Sequence, residues 1–545
     1  MRIVQTLYTD SNTDILKDAM GWLAPEYHLM GWALSCLQLK KYYKEVHLYT
    51  NDHCAEIIIN KLGLPYDYVH TIHNNFSLPH PDLWALSKIY TYSLQRSSFL
   101  HIDGDVFIFQ ALPKDLLKQP LIAQNEEVAS KYYTSTQKNV QNHFTFIPDV
   151  VQKDFETKEF IHAANAGIIG GNDYDFFKEF VRLAFKYVNR NISNLSLINA
   201  SKFNVFFEQH LFYCYAKSQD INIAYLLDEL FQDNKFVGLG NFWEVPFERT
   251  FLHLLGEFKQ NASTCNQLAT KLRAYYPEYY YKIIALFKKN QIPLKYDYYS
   301  PLDSSSAEVL NKYFFSAKKE YKVNCKSEGN AGNDHPNLKK TLQIITQSKE
   351  HHYLSTKIDN VDCNKKGLSR SDLKSDYHQF LDQVAKKISS RSFSLRYLYG
   401  RDIHSEQWYS MVFKGKRCES NLELVTCPEI SIISSKYNWG AFWSKVNQPG
   451  VPYYKTLQLK QDKYFALLVH EAYECGFSIY DLEALDTIIL NMLAHPISIN
   501  EIIIRSKEYF EEDVIENNMS DIQNLIMQIL QRLILKKAVK PYEKV

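Results

Sequence analysis

An α/β chain in two parts is what the sequence predicts. It reads as a sheet domain over residues 1–290, a connecting helix and polar linker over 291–376, and a smaller α+β domain over 377–545. Three observations carry that division. Through the first part, short apolar runs alternate with stretches of helical spacing, the pattern of an open sheet whose strands are joined by helices. From about Ser316 to Asp376 the composition turns to Lys, Ser, Asn, Asp and Gly (KSEGNAGNDHPNLKK, NVDCNKKGLSRSDLKSD), with too few large apolar residues to bury a core. Towards the C-terminus the apolar residues recur at helical intervals.

The elements follow in order. Arg2 to Tyr8 is an apolar run suited to a buried strand, and Glu45 to Tyr49 and Phe99 to Ile102 are two more. Leu29 to Lys41 and Leu83 to Leu94 carry helical spacing, and Leu272 to Lys289 reads as a helix closing the first domain. In the last part LELVT (422–426), ISIIS (430–434) and YFALLV (464–469) are β-type segments. Residues 477–545 then read as three helices joined by loops. Asp481 to Leu493 is the first of these. Ser498 with Glu501 three residues on is a capping box for the second, and Ser520 with Gln523 opens the third, whose Ile522, Ile526, Ile529 and Leu533 line one face.

Bulk properties exclude some functions. A net charge of +1 gives no global reason to expect nucleic acid or a membrane surface as partner. The nine cysteines are scattered, with no Cys-x-x-Cys, so neither a disulfide framework nor a structural zinc finger is expected, and a reducing, cytoplasmic setting fits best. The first residues have neither the apolar core nor the small-residue cleavage site of a signal peptide, and no uncharged apolar run is long enough for a transmembrane helix.

The central signal is FLHIDGDVFIF (99–109), in which an apolar strand delivers Asp103-Gly104-Asp105 to its end. Ligands in open α/β sheets sit at such strand ends. Two carboxylates flanking one small residue can turn towards one hard cation, Mn2+ or Mg2+, whose shell phosphate oxygens can complete. The other reading of the same residues is a solvated turn.

The surrounding segments resemble the glycogenin-type glycosyltransferases (glycosyltransferase family eight) and their GT-A relatives. LWALSKIYTYSLQRSSFLHIDGDVFIF is similar to that family's core, in which a helix bearing a Lys, here Lys88, precedes a strand and an Asp-x-Asp. Downstream, NAGIIGG (165–171), FFEQHLFYCYAK (206–217) and FLHLLGEFKQN (251–261) resemble its Asn-Ala-Gly, Asp-Gln-x-x-x-Asn and His-x-x-Gly-x-x-Lys motifs, in the family's order. The likeness spans roughly residues 1–260. It implies a GT-A (Rossmann-like) nucleotide-sugar-binding domain, a UDP-sugar as donor, and transfer with retention of configuration.

By this resemblance Asp103, Asp105 and His253 hold the metal, and Lys259 supplies a point charge for the diphosphate. His253 could equally be a core histidine. Gly256 would let backbone approach a phosphate. Lys88 reads either as a diphosphate or sugar contact or as a snorkelling helix residue. Asn165, Ala166 and Gly167 face the donor sugar or simply open a strand. Glu208 and Gln209, at the start of an apolar helical run, would lie beneath the anomeric carbon. Here Glu stands for the family's usual Asp, and the Asn further along that helix is not evident. Glu208 as a general base would instead give inversion. Thr6, Tyr8 and Thr9 fall where similar enzymes hold base and ribose, and Tyr8 could stack on uracil. Glu126 and Glu127 border the acceptor side.

The segment 477–545 resembles a winged-helix module of the kind that grips peptides, which would make a peptide hydroxyl an acceptor beside a saccharide. Its eleven acidic against seven basic residues fit a DNA backbone poorly. The alternative to an enzyme is a transferase fold kept as a scaffold, with the C-terminal domain binding a peptide or protein.

Overall fold

The computed structural model describes residues 1–10, 13–128, 131–228, 231–232, 239–246 and 249–294, then 369–391, 393, 398, 401–402, 404–405, 408–409, 412, 422–446, 460–470, 477–510 and 512–542. Most of the expected polar linker therefore lies outside the described residues. Two compact units divide the chain, Met1–Asp297 and Tyr298–Val545.

The first unit contains twelve described strands: β1 Arg2–Leu7, β2 Val46–Thr50, β3 Tyr68–His70, β4 Phe99–Ile102, β5 Val106–Ile108, β6 Leu121–Ala123, β7 Glu126–Val128, β8 His162–Ala164, β9 Ile168–Gly171, β10 Ile223–Tyr225, β11 Phe231–Gln232 and β12 Phe251–His253. Seven form one sheet in the order β10-β6-β9-β4-β1-β2-β3. β4, β1, β2 and β3 run parallel, as do β10 and β6. β9 is antiparallel to both its neighbours, β4 and β6. The apolar runs read as strands in the sequence are β1, β2 and β4, fully or nearly buried as the inner strands of a covered sheet must be. The fold is thus mixed α/β around a sheet with a parallel core, compatible with a Rossmann-like arrangement.

Two further pairings position the site. β5 pairs antiparallel with β12, with Val106 opposite His253. β7 pairs antiparallel with β8, with Glu126 opposite Ala164.

The helices differ from the sequence reading in places. The stretch 272–289 is not one helix. Ala262–Tyr275 and Pro277–Lys289 meet at Tyr276, because Pro277 can begin a helix but cannot continue one. Glu208 and Gln209 do not begin a helical run either. Asn199 caps the helix Ala200–Val205 by accepting from Lys202 N, and the chain continues through a wider turn at Phe206–His210 into Leu211–Ser218.

In the second unit the helix Arg370–Ser389 starts within the last residues of the polar stretch, capped by Ser369. Its Leu373, Tyr377, Phe380, Leu381 and Val384 recur on one face and join Ile433, Trp439, Trp443 and Ile479 in a core. Strands β13 Glu423–Thr426, β14 Ile430–Ser435, β15 Tyr464–His470, β16 Phe477–Leu482, β17 Ile497–Ser498 and β18 Val539–Pro541 make two three-stranded sheets, β17-β13-β18 and β14-β15-β16. Asp481 and Leu482 are therefore strand, not helix, paired with Ala466 and Phe465. The helix begins at Ala484 after a capping box formed by Glu483 and Asp486. Ser498 caps the next helix, Ile499–Ser506, by accepting from Glu501 N, whereas the Glu501 side chain accepts from Arg505 and does not close the expected capping box. Glu512–Leu535 is two helices that meet at Asn518, whose backbone is non-helical, so the final helix opens next to the expected Ser520. No helix among the described residues is long and apolar enough to cross a membrane.

Candidate metal centre

Asp103 follows β4 directly, and its backbone N–H donates to Gly167 O at 2.9 Å, tying the Asp-Gly-Asp turn to the start of β9. The β5–β12 pairing then carries His253 back beside that turn, where Leu254 N donates to Asp105 O at 3.0 Å. Asp103, Asp105 and His253 each offer a ligand atom, and these atoms lie within 4.8 Å of one another. A side chain on the residue between the acids would meet the Trp32 indole at 2.5 Å, and one at position 167 would meet His253 Nδ1 at 2.5 Å. Both glycines are therefore fixed by packing space.

A chain of hydrogen bonds sets which way the His253 ring presents its nitrogens. Asn125 Nδ2 donates to the Glu126 carbonyl, Gln124 Nε2 donates to Asn125 Oδ1 at 2.9 Å, and His253 Nδ1 lies 2.7 Å from Gln124 Oε1. A backbone carbonyl can only accept, so the direction of the chain is fixed and His253 Nδ1 carries the hydrogen. In the neutral ring Nε2 then presents a bare lone pair, 3.5 Å from Asp105 Oδ1. Two acceptors facing each other at that distance suit a cation held between them, and the Gln124 contact is the kind of second partner that orients a metal-binding imidazole.

The carboxylates are countered on the other side by two lysines. Lys259 Nζ is 2.7 Å from Asp105 Oδ2, and Lys88 Nζ is 2.9 Å from Asp103 Oδ1 and 2.8 Å from Glu208 Oε1. Burial pushes Asp103 up to about 6 despite Lys88, with Asp105 and Glu208 adding like-charge repulsion. Burial acts on Asp105 in the same sense, but Lys259 and His253 outweigh it and hold this carboxyl below its usual range. Burial would depress Lys88, yet Asp103 and Glu208 reverse this and hold the ammonium above its ordinary value. Its charge is thus already shared between two carboxylates, whereas the Lys259 side chain is 20% exposed against 7% for Lys88.

The other candidate residues sort by what they touch. Glu208 is buried, with Oε1 also accepting from Tyr92 Oη at 3.1 Å, and its Oε2 has no hydrogen-bond partner among the described residues. Gln209 Oε1 accepts from Ala166 N at 3.2 Å. Asn165 is a buried brace that donates to Glu127 Oε1 at 2.6 Å and accepts from Gly167 N at 2.9 Å. Gly256 has φ +37°, a conformation that favours glycine, and caps only the short helix Glu257–Gln260. Thr6 Oγ1 donates to Thr91 and lies 3.0 Å from His101 Nε2, on the inner strand β1. Tyr8 Oη donates to Phe76 O at 3.0 Å and its ring packs against His73 and Phe76. Thr9 is buried, with Oγ1 3.3 Å from Cys54 Sγ. Glu126 pairs with His162 Nδ1 at 2.6 Å, and that hydrogen bond holds its carboxyl below the usual carboxylate range, while burial pushes the Glu127 carboxyl up.

Sequence reasoning missed three groups here. Gln124 orients His253. His101, fully buried, places Nδ1 3.5 Å from Asp103 Oδ1. His28 accepts from Trp32 Nε1 at 2.9 Å and is pushed down to about 3 by burial first, then by Lys259. All three are polar residues in apolar neighbourhoods, and nothing in their spacing marks them.

No curated protein matches the chain. Its residues 1–286 match the model of a family of unknown function, DUF6734, and the chain belongs to that family.

Proposed function

We propose that this chain is a metal-dependent glycosyltransferase that moves a sugar from a nucleotide-sugar, a UDP-sugar by the family resemblance, to an acceptor hydroxyl on a peptide or saccharide. The observation that carries the reading is the convergence of Asp103, Asp105 and the His253 lone pair at the end of β4, beside Lys259. Oxygen and imidazole donors without sulfur suit Mn2+ or Mg2+. Such an ion would neutralise the charge that develops on a diphosphate leaving group.

The chain's own residues divide the remaining work. Lys259, part exposed, is the ammonium within reach of a diphosphate. Lys88 is the buried counter-ion that keeps Asp103 and Glu208 apart in charge. Glu208, enclosed and paired with Lys88 and Tyr92, suits electrostatic stabilisation of an oxocarbenium-like sugar, in keeping with retention. It is poorly placed to take a proton from a solvent-side nucleophile, as inversion would require. The order of strands and helices over Phe477–Pro541 supports a winged-helix-like module that binds the peptide acceptor. A cytoplasmic setting goes with this reading.

The test is a thermal-shift screen of nucleoside diphosphates with and without Mn2+, followed by release of nucleoside diphosphate from a panel of sugar nucleotides. Stabilisation that needs nucleotide and metal together, then turnover, supports the enzyme. Stabilisation by neither sinks it and leaves the scaffold reading.

A further inference from the structure

A second group of ligand-type side chains lies in the same unit. Asp154 comes from the helix Asp149–Thr157, His210 from the wide turn that also bears Glu208 and Gln209, and Cys214 from the helix that follows. His210 and Cys214 are four residues apart and share one helical face. Their ligand atoms and that of Asp154 lie within 4.8 Å of one another.

The tautomer of His210 is fixed in the same way as that of His253. Its Nδ1 is 2.8 Å from the His162 carbonyl, which can only accept, so Nδ1 carries the hydrogen. The bare Nε2 lies 3.6 Å from Asp154 Oδ2 and 3.6 Å from Cys214 Sγ. Sγ is also 3.7 Å from Nδ1, so the sulfur stands beside the ring and off the Nε2 lone pair, and a rotation about the Cys214 Cα–Cβ bond is what would bring it to a metal there. Asp154 Oδ2 is a buried oxygen with no hydrogen-bond partner among the described residues, on a side chain only 10% exposed. The imidazole is held still by Phe155, stacked on it at 5.6 Å, and by the edge contact with Phe206. A bare imidazole nitrogen and an orphaned carboxylate oxygen thus lie side by side, with a thiol 3.6 Å from the nitrogen. Ligands of a tetrahedral zinc ion lie roughly 3.3–3.8 Å apart, given zinc–ligand bonds of about 2.0–2.3 Å.

We propose that Asp154, His210 and Cys214 form a zinc site, with its fourth position open to water. The mixed thiolate, imidazole and carboxylate set favours Zn2+ over the hard cations suited to the sulfur-free centre at Asp103. On binding, the Cys214 thiol gives its proton to solvent and the sulfur bonds the metal, so one proton leaves per ion bound. The site would pin the helix Asp149–Thr157 to the segment carrying Glu208 and Gln209. It stands on this geometry alone and does not depend on the transferase reading.

Cobalt is the probe. Metal-stripped protein titrated with Co2+ is expected to develop the near-ultraviolet thiolate-to-cobalt charge-transfer band at one equivalent, and zinc is expected to erase it. The band should survive in Asp105→Asn, because the other centre has no sulfur. It should vanish in Cys214→Ser and be lost or weakened in Asp154→Asn, whose amide can instead donate to His210 and keep the fold. Wild-type protein treated with a thiol-alkylating reagent and mapped by mass spectrometry supplies a readout that needs no variant: zinc should protect Cys214. Absence of the band, its persistence in Cys214→Ser, or equal alkylation of Cys214 with and without zinc would each overturn the site. None of those outcomes bears on Mn2+ binding at Asp103 and Asp105.

Discussion

Gln124→Leu tests the link between geometry and metal most directly. The change is close to isosteric, and position 124 is fully buried and touches neither the expected metal nor any substrate. What it removes is the oxygen 2.7 Å from His253 Nδ1. The ring then loses the partner that fixes its hydrogen on Nδ1. Leaving that donor unpaired in a buried site costs about 1–3 kcal/mol of stability. Loss of such a second partner typically weakens metal affinity by about 10- to 100-fold, or roughly 1.4–2.8 kcal/mol. Binding of Mn2+, followed through the spin-resonance signal of the free ion, should weaken by that factor while circular dichroism stays native. Gln124→Glu keeps an acceptor for His253 and should recover most of the affinity, although it loses the donor to Asn125. If the leucine variant binds Mn2+ as tightly as the parent, the orientation argument fails, and with it the case for His253 as a ligand.

Asp105→Asn should abolish sugar transfer and the metal-dependent thermal shift with nucleoside diphosphate while leaving the metal-free fold intact; near-normal turnover in Mn2+ would remove Asp105 from the site. Lys88→Met should destabilise the fold by about 3–5 kcal/mol, since it strands the buried Glu208 carboxylate together with the part-exposed Asp103 one, whereas Lys259→Met should cost clearly less because it strands only the part-exposed Asp105; urea midpoints that rank the two variants the other way would contradict the assigned charges. His28, pushed down to about 3 by burial, stays neutral in the fold while the unfolded chain takes up a proton near 6.5, so stability is lost as pH falls below that value. By pH 5 this amounts to about 2 kcal/mol. Asp103, raised to about 6, works in the opposite sense between about 4 and 6, so the clean comparison is with His28→Gln, whose urea stability should fall less between pH 7 and pH 5 than that of the parent.

The parts of this molecule that were legible in its sequence are those where local pattern and tertiary role agree. β1, β2 and β4 are apolar runs that become inner strands, and the Asp-Gly-Asp turn sits at a strand end because a strand leads straight into it. The helix bearing Lys88 also forms where its spacing put it, at Ala85–Ser93. Failures occur where a short segment satisfies two periods at once. Asp481 and Leu482 fit a helical pattern, yet pairing with β15 makes them strand. Glu208 looked like a helix start because the apolar run follows it, whereas the cap that matters, Asn199, lies upstream. Side-chain partners are the least legible level. Lys88 reads alike in sequence whether it meets phosphate or carboxylate, and only the fold sets it between Asp103 and Glu208. Gln124 acquires its role solely because β12 returns beside β5.

Charge accounting at the centre bears on the order in which ligands bind. Three carboxylates, Asp103, Asp105 and Glu208, face two ammonium groups, Lys88 and Lys259. With the His253 ring in its neutral, metal-binding form the pocket therefore carries one negative charge more than positive, and it lies in a buried setting where screening by salt is weak. A diphosphate approaching that pocket alone meets repulsion. A divalent cation reverses the sign of the excess and releases Lys259 from sole attention to Asp105, so the same walls then attract the phosphates. On the transferase reading, nucleotide binds with or after metal, and a chelator removes the nucleotide-induced thermal shift as well as activity. A nucleoside diphosphate that stabilised the fold equally well in chelator would place its phosphates against some other part of the domain.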